Sequence, residues 1–254
     1  MDMDFFHPRW PVFHADNHLL ILYKPAGLLV QGDESGDVCL LDLAKQWVKD
    51  RYRKPGRVFL GLVHRLDRPV AGVMLFARTS KAASRLGSQI RDRQVRKRYW
   101  AVVEGQPAAP SGRLAHHIER LDRLSRIVPR ATPQSREARL AFRLLESTAG
   151  RSLLEIELET GRRHQIRLQL AHCGCPIVGD VRYGASEPLP SRQIALLARE
   201  ICVEHPTRRE TLTFTAPAPA GWPWPMSEPP GQAPFWNWSD YAPALRGWGK
   251  SLNR

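Results

Sequence analysis

The sequence is poor in cysteine and has no long apolar segment. Its 254 residues include four cysteines, too few for the disulfide framework of a small secreted protein, so we expect a reducing, cytoplasmic environment. No uninterrupted apolar run approaches the roughly 20 residues that a membrane helix needs. The N-terminal stretch MDMDFFHPRW lacks the basic start of a secretory signal. We therefore expect a globular protein that acts away from membranes.

Motifs for nucleotide and metal cofactors are absent as well. Neither G-x-x-x-x-G-K-[ST] nor G-x-G-x-x-G occurs, which argues against a bound nucleotide cofactor. His172, Cys173 and Cys175 are close in sequence, but zinc sites favour paired spacings such as C-x-x-C. Cys39 and Cys202 are isolated. The sequence therefore predicts an activity without cofactor or metal.

Acidic residues are scarce in one particular part of the chain. Residues 51–100 contain 14 Lys and Arg against two acids, Asp67 and Asp92, a net charge of +12. The other 204 residues hold 24 basic and 23 acidic residues, a net charge of +1. A basic run can be a solvated surface, but clustered like charges repel one another and a polyanion offsets that repulsion. The charge distribution favours a nucleic-acid partner.

One of these two acids lies within HRLDRP, residues 64–69. Asp67 stands between Arg65 and Arg68 and closely follows His64. Arginines favour the charged form of a nearby carboxylate, and an ionised carboxylate is a poor general acid but a good nucleophile. The stretch is either a structural salt bridge or a catalytic group, and this motif alone does not decide between them.

A second basic stretch is GRRHQIRLQLAHCG, residues 161–174. A helix that begins near Gly161 would place Arg163 and Arg167 four residues apart on one face. The N-terminus of a helix favours anions, so the stretch is consistent with an anion site. An exposed basic helix fits the same spacing equally well.

A third stretch, RKRYW, places Tyr99 directly after Arg96, Lys97 and Arg98. A strand would direct Tyr99 and Trp100 to opposite faces, so one of the two rings should belong to the core. An aromatic ring beside a basic cluster can stack on a base. Core packing is nevertheless the commoner fate of a single aromatic residue.

Hydrophobic patterning predicts a sheet with few helices. Alternating or short apolar segments predict strands, and helical spacing of apolar residues predicts helices. The apolar or alternating segments are 18–24, 58–63, 72–77, 98–105, 138–147 and 152–160, with a hairpin at Ala149-Gly150; the helical segments are 40–52, Thr79 or Ser80 to about Arg93, and 161–174. We predict an α+β fold with a mixed, largely antiparallel sheet flanked by helices and loops.

Four segments occur in an order that is typical of one enzyme family. They are NHLLILYKPAGLLV, GLVHRLDRPVAGVMLFART, KRYWAVVEG and LETGRRHQIRLQLAHCGCPIVGDVRYG. Together they resemble the motifs of RluA-type pseudouridine synthases over about residues 15–217. The resemblance implies the pseudouridine-synthase fold and an isomerase that converts uridine to pseudouridine in ribosomal or transfer RNA without cofactor or metal.

The resemblance also implies roles for individual residues. Asp67 matches the essential aspartate, which attacks either the uracil ring or the anomeric carbon, and Arg167 matches the arginine that pairs with it. Tyr99 matches the tyrosine that packs on the base and assists proton removal. Arg65 matches the arginine that fills the space of a flipped-out uridine, since a stacked base cannot be reached in place. The other residues predicted to contact RNA are His64, Arg68, Arg96, Lys97, Arg98 and Arg163.

The resemblance bears on the organisation of the chain too. We predict a catalytic domain at 1–217 and a Pro/Trp-rich tail at 218–254 that holds five of the eight tryptophans and packs back on the domain. The YKPAG motif begins near residue 23, so we expect a stand-alone catalytic domain. A monomer is our default expectation for the oligomeric state. Many relatives have Thr-Ser-Gly after the aspartate, where this chain has Pro69-Val70-Ala71-Gly72.

The alternative is an RNA-binding or RNA-folding protein that has this fold but in which catalysis is incidental. Base extrusion and backbone contacts could remodel RNA without any chemistry. The combination of Asp67, Tyr99 and Arg167 favours the enzyme, because RNA binding alone gains nothing from a pocket carboxylate that faces a polyanion.

Overall fold

The computed structural model describes residues 12–121, 124–190, 193–219 and 221–225. The strands are β1 Val12–Ala15, β2 Leu19–Lys24, β3 Gly61–Leu62, β4 Ala71–Ala77, β5 Arg96–Glu104, β6 Ser111–Leu121, β7 Leu124–Val128, β8 Ser135–Thr148, β9 Arg151–Leu158, β10 Leu196–Glu204 and β11 Thr211–Thr215. The helices are α1 Leu40–Arg51, α2 Ser80–Arg91 and α3 Gln165–His172, with a 3-10 turn at Val181–Tyr183. None of the helices in these ranges is long and apolar enough to cross a membrane.

All the strands belong to a single sheet. Its order is β1-β2-β4-β10-β5-β9-β8-β6-β7, with β3 paired to β4 and β11 paired to β10. The pairing of β10 with β4 is parallel, and the other pairings between these strands are antiparallel. Every residue of β2 and of β4 is buried. The predicted α+β fold with a mixed, largely antiparallel sheet is confirmed.

Most of the predicted elements occur at their expected positions. The hairpin across Ala149-Gly150 is formed by β8 and β9. Helix α2 begins at Ser80, and the hydroxyl of Thr79 caps it by accepting a hydrogen bond from the backbone N–H of Ala82 at 3.1 Å. Such caps satisfy an N–H group that has no partner within the helix.

The predicted start of the third helix is wrong. Helix α3 begins at Gln165 rather than near Gly161, because His164 adopts a left-handed conformation with φ 55° and interrupts the helical path. Arg163 therefore precedes the helix and does not share a helix face with Arg167.

The described part of the C-terminal segment packs on the domain. Trp224 is 5% exposed, and its Nε1 donates a hydrogen bond to Oε2 of Glu146 at 2.9 Å. Trp222 packs against the same core. The remaining tail tryptophans lie outside the described residues, and the division of the chain at residue 217 stays a prediction.

We predict that Gly72→Ala destabilises the fold. Gly72 has φ +131°, and a Cβ atom there would lie 2.3 Å from the carbonyl oxygen of Ala198, its partner in the parallel β4–β10 pairing. The clash falls on backbone, so we expect a loss of about 3 kcal/mol or more in the free energy of unfolding, measured by urea denaturation.

The matched control is Gly105→Ala. Gly105 also has a positive φ, +75°, but nothing lies within 4 Å of its added Cβ. Its loss should be limited to the about 1–2 kcal/mol that a left-handed conformation costs a residue with a side chain. Equal losses for the two variants would show that the contact with Ala198 is not the cause.

Candidate active site

A cleft of about 1860 Å³ is lined by the HRLDRP loop, the start of β5, the loop before α3 and the turn after Gly179. Its cationic lining residues are Arg65, Arg68, Arg91, Arg93, Lys97, Arg120, Arg162, Arg163, Arg167 and Arg182, and its acidic ones are Asp33, Asp67, Glu159 and Asp180. Ten cations against four acids give the cleft a positive charge that suits an anionic polymer.

Asp67 lies in this cleft with its side chain 27% exposed. Its Oδ2 accepts a hydrogen bond from Nη1 of Arg167 at 3.2 Å and lies 3.7 Å from Nε2 of His164. Its Oδ1 has no hydrogen-bond partner among the described residues. One carboxylate oxygen is therefore held by the protein while the other is available to a ligand.

Arg167 is held between two carboxylates. Its Nε and Nη2 donate to the two oxygens of Asp180 at 2.6 and 2.8 Å, and its Nη1 reaches Asp67. Burial alone lowers the pKa of an arginine, but the hydrogen bonds and negative charges of Asp180 and Asp67 raise the pKa of Arg167. The bidentate pair with Asp180 fixes the plane of the guanidinium, so Nη1 points at Asp67 in a defined direction.

His164 provides a second contact to the same oxygen of Asp67. Its left-handed backbone places Nδ1 2.7 Å from the hydroxyl of Tyr183 and Nε2 towards Asp67. Burial lowers the pKa of His164 to about 4, with the charges of Asp67 and Arg167 acting in opposite directions. The ring is therefore neutral at pH 7. A neutral ring with its proton on Nε2 would present that proton to Asp67 and would leave Nδ1 to accept from the Tyr183 hydroxyl.

Lys24 holds the loop that carries Asp67. It is 0% exposed, and its Nζ donates to the carbonyl oxygens of Pro25, Arg68 and Val70 at 3.0, 3.1 and 2.7 Å. Burial lowers the pKa of Lys24 to about 7, and the charge of Asp67 opposes that effect. The three bonds tie the turn after Asp67 to the end of strand β2.

Tyr99 lines the same cleft and is 7% exposed. Burial, and to a smaller extent the charge of Asp67, raises the pKa of Tyr99, so its hydroxyl is protonated at neutral pH. Trp100 follows it on the opposite face of β5, where its ring lies 4.1 Å from the guanidinium of Arg199. The predicted separation of the two rings is confirmed.

The structure brings most of the predicted RNA-contacting residues to the cleft. Arg65, Lys97 and Arg163 line it. Arg68 also lines it, but its guanidinium donates to Gly27 O and to Asp37 at 2.9 and 2.7 Å. Arg68 therefore braces the segment from Gly27 to Asp37 against the HRLDRP loop.

Three other predicted contacts are placed differently. Arg96 and Arg98 alternate with Tyr99 along β5 and so project from the other face of the sheet; Arg98 lies 3.6 Å from Glu200, and Arg96 donates to Cys202. His64 lines the cleft, but its Nε2 accepts a hydrogen bond from the backbone N–H of Leu75 at 3.0 Å. None of these three side chains is brought to Asp67.

Comparison with known proteins identifies the family of the chain. A family model described as RNA pseudouridylate synthase matches residues 18–172. The chain belongs to this family. The resemblance to RluA-type enzymes inferred from the motifs is thereby confirmed.

Individual relatives support the same assignment. An uncharacterized RNA pseudouridine synthase of Bacillus subtilis is 35% identical over 212 residues, covering 82% of this chain and 68% of that protein. Ribosomal large subunit pseudouridine synthase D of Xanthomonas campestris is 36% identical, covering 82% and 66%. The chain thus spans about two thirds of the length of these relatives. The solved structure of human RNA pseudouridylate synthase domain containing 4 superposes with a TM-score of 0.71 and 26% identity, covering 83% of this chain and 89% of that one.

Asp180→Asn is predicted to slow the reaction without weakening RNA binding. The substitution keeps the shape of the side chain but removes one acceptor and the charge that aligns Arg167. Because small misplacements of a catalytic group can lower rates by about 100-fold, we expect a decrease of about 10- to 100-fold in single-turnover pseudouridine formation with an unchanged Kd.

The matched control for this variant is Asp50→Asn. It alters an exposed carboxylate that is bonded only to Gln46 among the side chains that the structure describes, so it should retain the wild-type rate. A loss of binding equal to the loss of rate in Asp180→Asn would contradict the positioning role.

The half-buried histidine His64 predicts how stability depends on pH. Burial, helped by the charge of Lys97, lowers the pKa of His64 from 6.5 to about 3. Between these pH values the unfolded chain binds a proton that the folded chain does not. The contribution of His64 to the free energy of unfolding is therefore complete above pH 6.5 and is lost as the pH falls.

We expect His64→Gln, whose amide oxygen can accept the same N–H bond, to lose less stability on acidification than the wild type. When the pH falls from 6.5 to about 5, the wild type should lose more of its unfolding free energy than the variant does, and this difference should approach about 2 kcal/mol. Urea unfolding at a series of pH values measures this difference. His164 is present in both proteins, so its contribution to the pH dependence cancels in the comparison. Parallel pH profiles would exclude a neutral, half-buried His64.

Proposed function

We propose that this protein is an RNA pseudouridine synthase that isomerises specific uridines in structured RNA. The observation that carries the proposal is the position of Asp67: one oxygen is bound by Arg167, which is itself aligned by Asp180, and the other faces a basic cleft beside Tyr99. A carboxylate arranged in this way can attack an electrophilic carbon, whereas RNA binding alone has no use for it.

The reaction replaces one bond between uracil and ribose by another. The bond from the anomeric carbon to N1 breaks, the detached uracil rotates within the cleft, and a bond from the anomeric carbon to C5 forms. C5 then loses its proton, and N1 gains one. Asp67 is the proposed nucleophile, on the uracil ring or on the anomeric carbon, and Arg167 holds it in position for the attack.

Access to uridine requires the base to leave its stack. Extrusion costs a few kcal/mol of stacking and pairing, and phosphate contacts in the cleft can offset that free energy. Arg65 is exposed at the cleft, and we propose that it occupies the space that the extruded base leaves. Lys97 and Arg163 would contact neighbouring phosphates.

Tyr99 is proposed to pack against the uracil and to act first as a hydrogen-bond donor. Its raised pKa keeps the hydroxyl protonated in the free protein, so it is a poor base there. Asp67, once released from its bond to substrate, is a carboxylate that can accept the proton from C5, with Tyr99 assisting.

The proposed substrate is ribosomal or transfer RNA, and the protein is proposed to act as a monomer without a nucleotide cofactor. Relatives named ribosomal large subunit pseudouridine synthase make ribosomal RNA of the large subunit the first RNA to test. The positive cleft suits either RNA equally.

We predict that Asp67→Ala abolishes pseudouridine formation. Pseudouridine would be mapped in total RNA by carbodiimide labelling and primer extension, in a strain that lacks the protein and in strains restored with the wild type or a variant. A stop that returns with the wild type and is absent with Asp67→Ala would establish the activity and locate the target.

The matched control is Asp33→Ala, since Asp33 is an acid of the same cleft that is bonded to Ser35 rather than to Arg167. It should restore the stop. Recovery of growth with Asp67→Ala, together with no stop that depends on the protein, would replace catalysis by RNA binding or folding as the function.

A further inference from the structure

Much of the positive charge of residues 51–100 lies outside the cleft. Arg65, Arg68, Arg91, Arg93 and Lys97 line the cleft; the other nine of the 14 cations do not. Six of these nine are exposed at the end of α1, on the connection from α1 to β3 and on α2. We call them the α2 track: Arg51, Arg53, Lys54, Arg57, Lys81 and Arg85.

The described part of the protein leaves the charge of this track unneutralised. Among the described residues, none of its six cations forms an ion pair. Arg85 donates to the carbonyl oxygen of Pro206 at 2.6 Å, which leaves its charge uncompensated. The sequence from Arg68 to Arg91 contains no acidic residue. Uncompensated, clustered cations destabilise a fold by mutual repulsion, so the cluster indicates an anionic partner.

The track is continuous with the cleft. The side chain of Ala83 on α2 lies 2.9 Å from the position of a Cβ atom on Gly61, and the guanidinium of Arg78, just before α2, lies 4.1 Å from the centre of the Tyr52 ring. Both ends of the connection from α1 to β3 therefore pack near α2. Helix α2 has 12 residues, about 18 Å at 1.5 Å per residue. Lys81 lies in its first turn, and Arg91 at its last residue lines the cleft.

The helix that leads into the track ends in a conformation that disfavours arginine. Lys54 N donates to Lys49 O at 2.9 Å and Arg53 N to Asp50 O at 3.2 Å, the pattern in which glycine usually takes the left-handed position. Here Arg53 takes it, with φ 48°. Arg93 occupies the equivalent position after α2, with φ 59°. An exposed arginine kept at a position that favours glycine indicates that its charge has a use.

We propose that the α2 track binds the sugar-phosphate backbone of a base-paired arm of the RNA whose uridine enters the cleft. This inference rests on the proposed function. The cleft takes an extruded nucleotide, so the paired region next to it must pass over the protein surface at the edge of the cleft. Beside Lys81 and Arg85, α2 exposes small side chains such as Ser80 and Ser84, which lets phosphates approach closely. Double-stranded RNA is bound through backbone and shape in this way.

The test compares two variants with the same loss of charge. Arg53→Gln with Lys54→Gln removes two cations from the track. Arg143→Gln with Arg151→Gln removes two exposed cations from β8 and β9. These two strands are separated from β4 in the sheet by β10 and β5. Two probes are used. One is a fluorescent RNA duplex of two helical turns, and the other is a fluorescent uridine trinucleotide that is short enough to bind in the cleft without reaching the α2 track. Kd is measured by fluorescence anisotropy at several KCl concentrations.

For the duplex, the track variant should raise Kd several-fold and lower the slope of log Kd against log [KCl] by about 1 to 2, since each lost phosphate contact lowers it by about 1. The far-side variant should leave the slope unchanged. Binding of the trinucleotide should be the same in all three proteins. Equal effects of the two variants on the duplex would overturn the proposal, because total charge would then explain both.

Arg53→Gly separates binding from folding. Glycine relieves the left-handed strain, so this variant should unfold at an equal or higher temperature than the wild type while binding the duplex more weakly. Wild-type affinity in Arg53→Gly and in the track variant would overturn the proposal. Duplex binding by Asp67→Ala should equal that of the wild type, so a failure of catalysis is distinguished from a failure of the track.

Discussion

The site depends on one buried cation. Arg167 is 5% exposed, and a guanidinium can be buried only if opposite charges and hydrogen bonds compensate the lost hydration. Asp180 compensates it fully enough to fix its orientation, and Asp67 is the second, more exposed partner. Removal of either carboxylate changes the electrostatics of the other. The loop with Asp67, helix α3 and the turn with Asp180 must therefore come together for any of the three side chains to be stable in place.

The sheet brings these segments together. The parallel pairing of β4 with β10 is formed at Ala71 and Gly72, immediately after the loop that carries Asp67, and the bonds from Lys24 fix that loop from β2. Close contact of the backbones at Gly72 and Ala198 leaves no space for a side chain. Rigid strands rather than flexible loops thus determine where Asp67 lies, which suits the catalytic role proposed for it.

The sequence was most informative where local pattern and tertiary structure agree. The alternating segments of β8 and β9 and the capped start of α2 follow local rules, and the quoted motifs contain Asp67, Tyr99 and Arg167. The start of helix α3 could not be placed, because the left-handed turn at His164 depends on contacts that are distant in sequence. His164 Nδ1 lies 2.7 Å from the hydroxyl of Tyr183, and Gln165 Nε2 donates to the carbonyl oxygen of Arg139 at 3.0 Å. Asp180 was inside a quoted motif, yet only the fold shows that it faces Arg167.

The contact between Arg167 and Oδ2 of Asp67 also has a consequence for the lifetime of a covalent intermediate. An ester formed through Oδ1 would keep Oδ2 as its carbonyl oxygen, still hydrogen-bonded to Arg167. Breakdown of that ester would regenerate a carboxylate whose charge the same guanidinium stabilises, so Asp67 would be a good leaving group in the proposed reaction. In the proposed reaction, Arg167 would thus favour release of the adduct as well as position Asp67 for the attack.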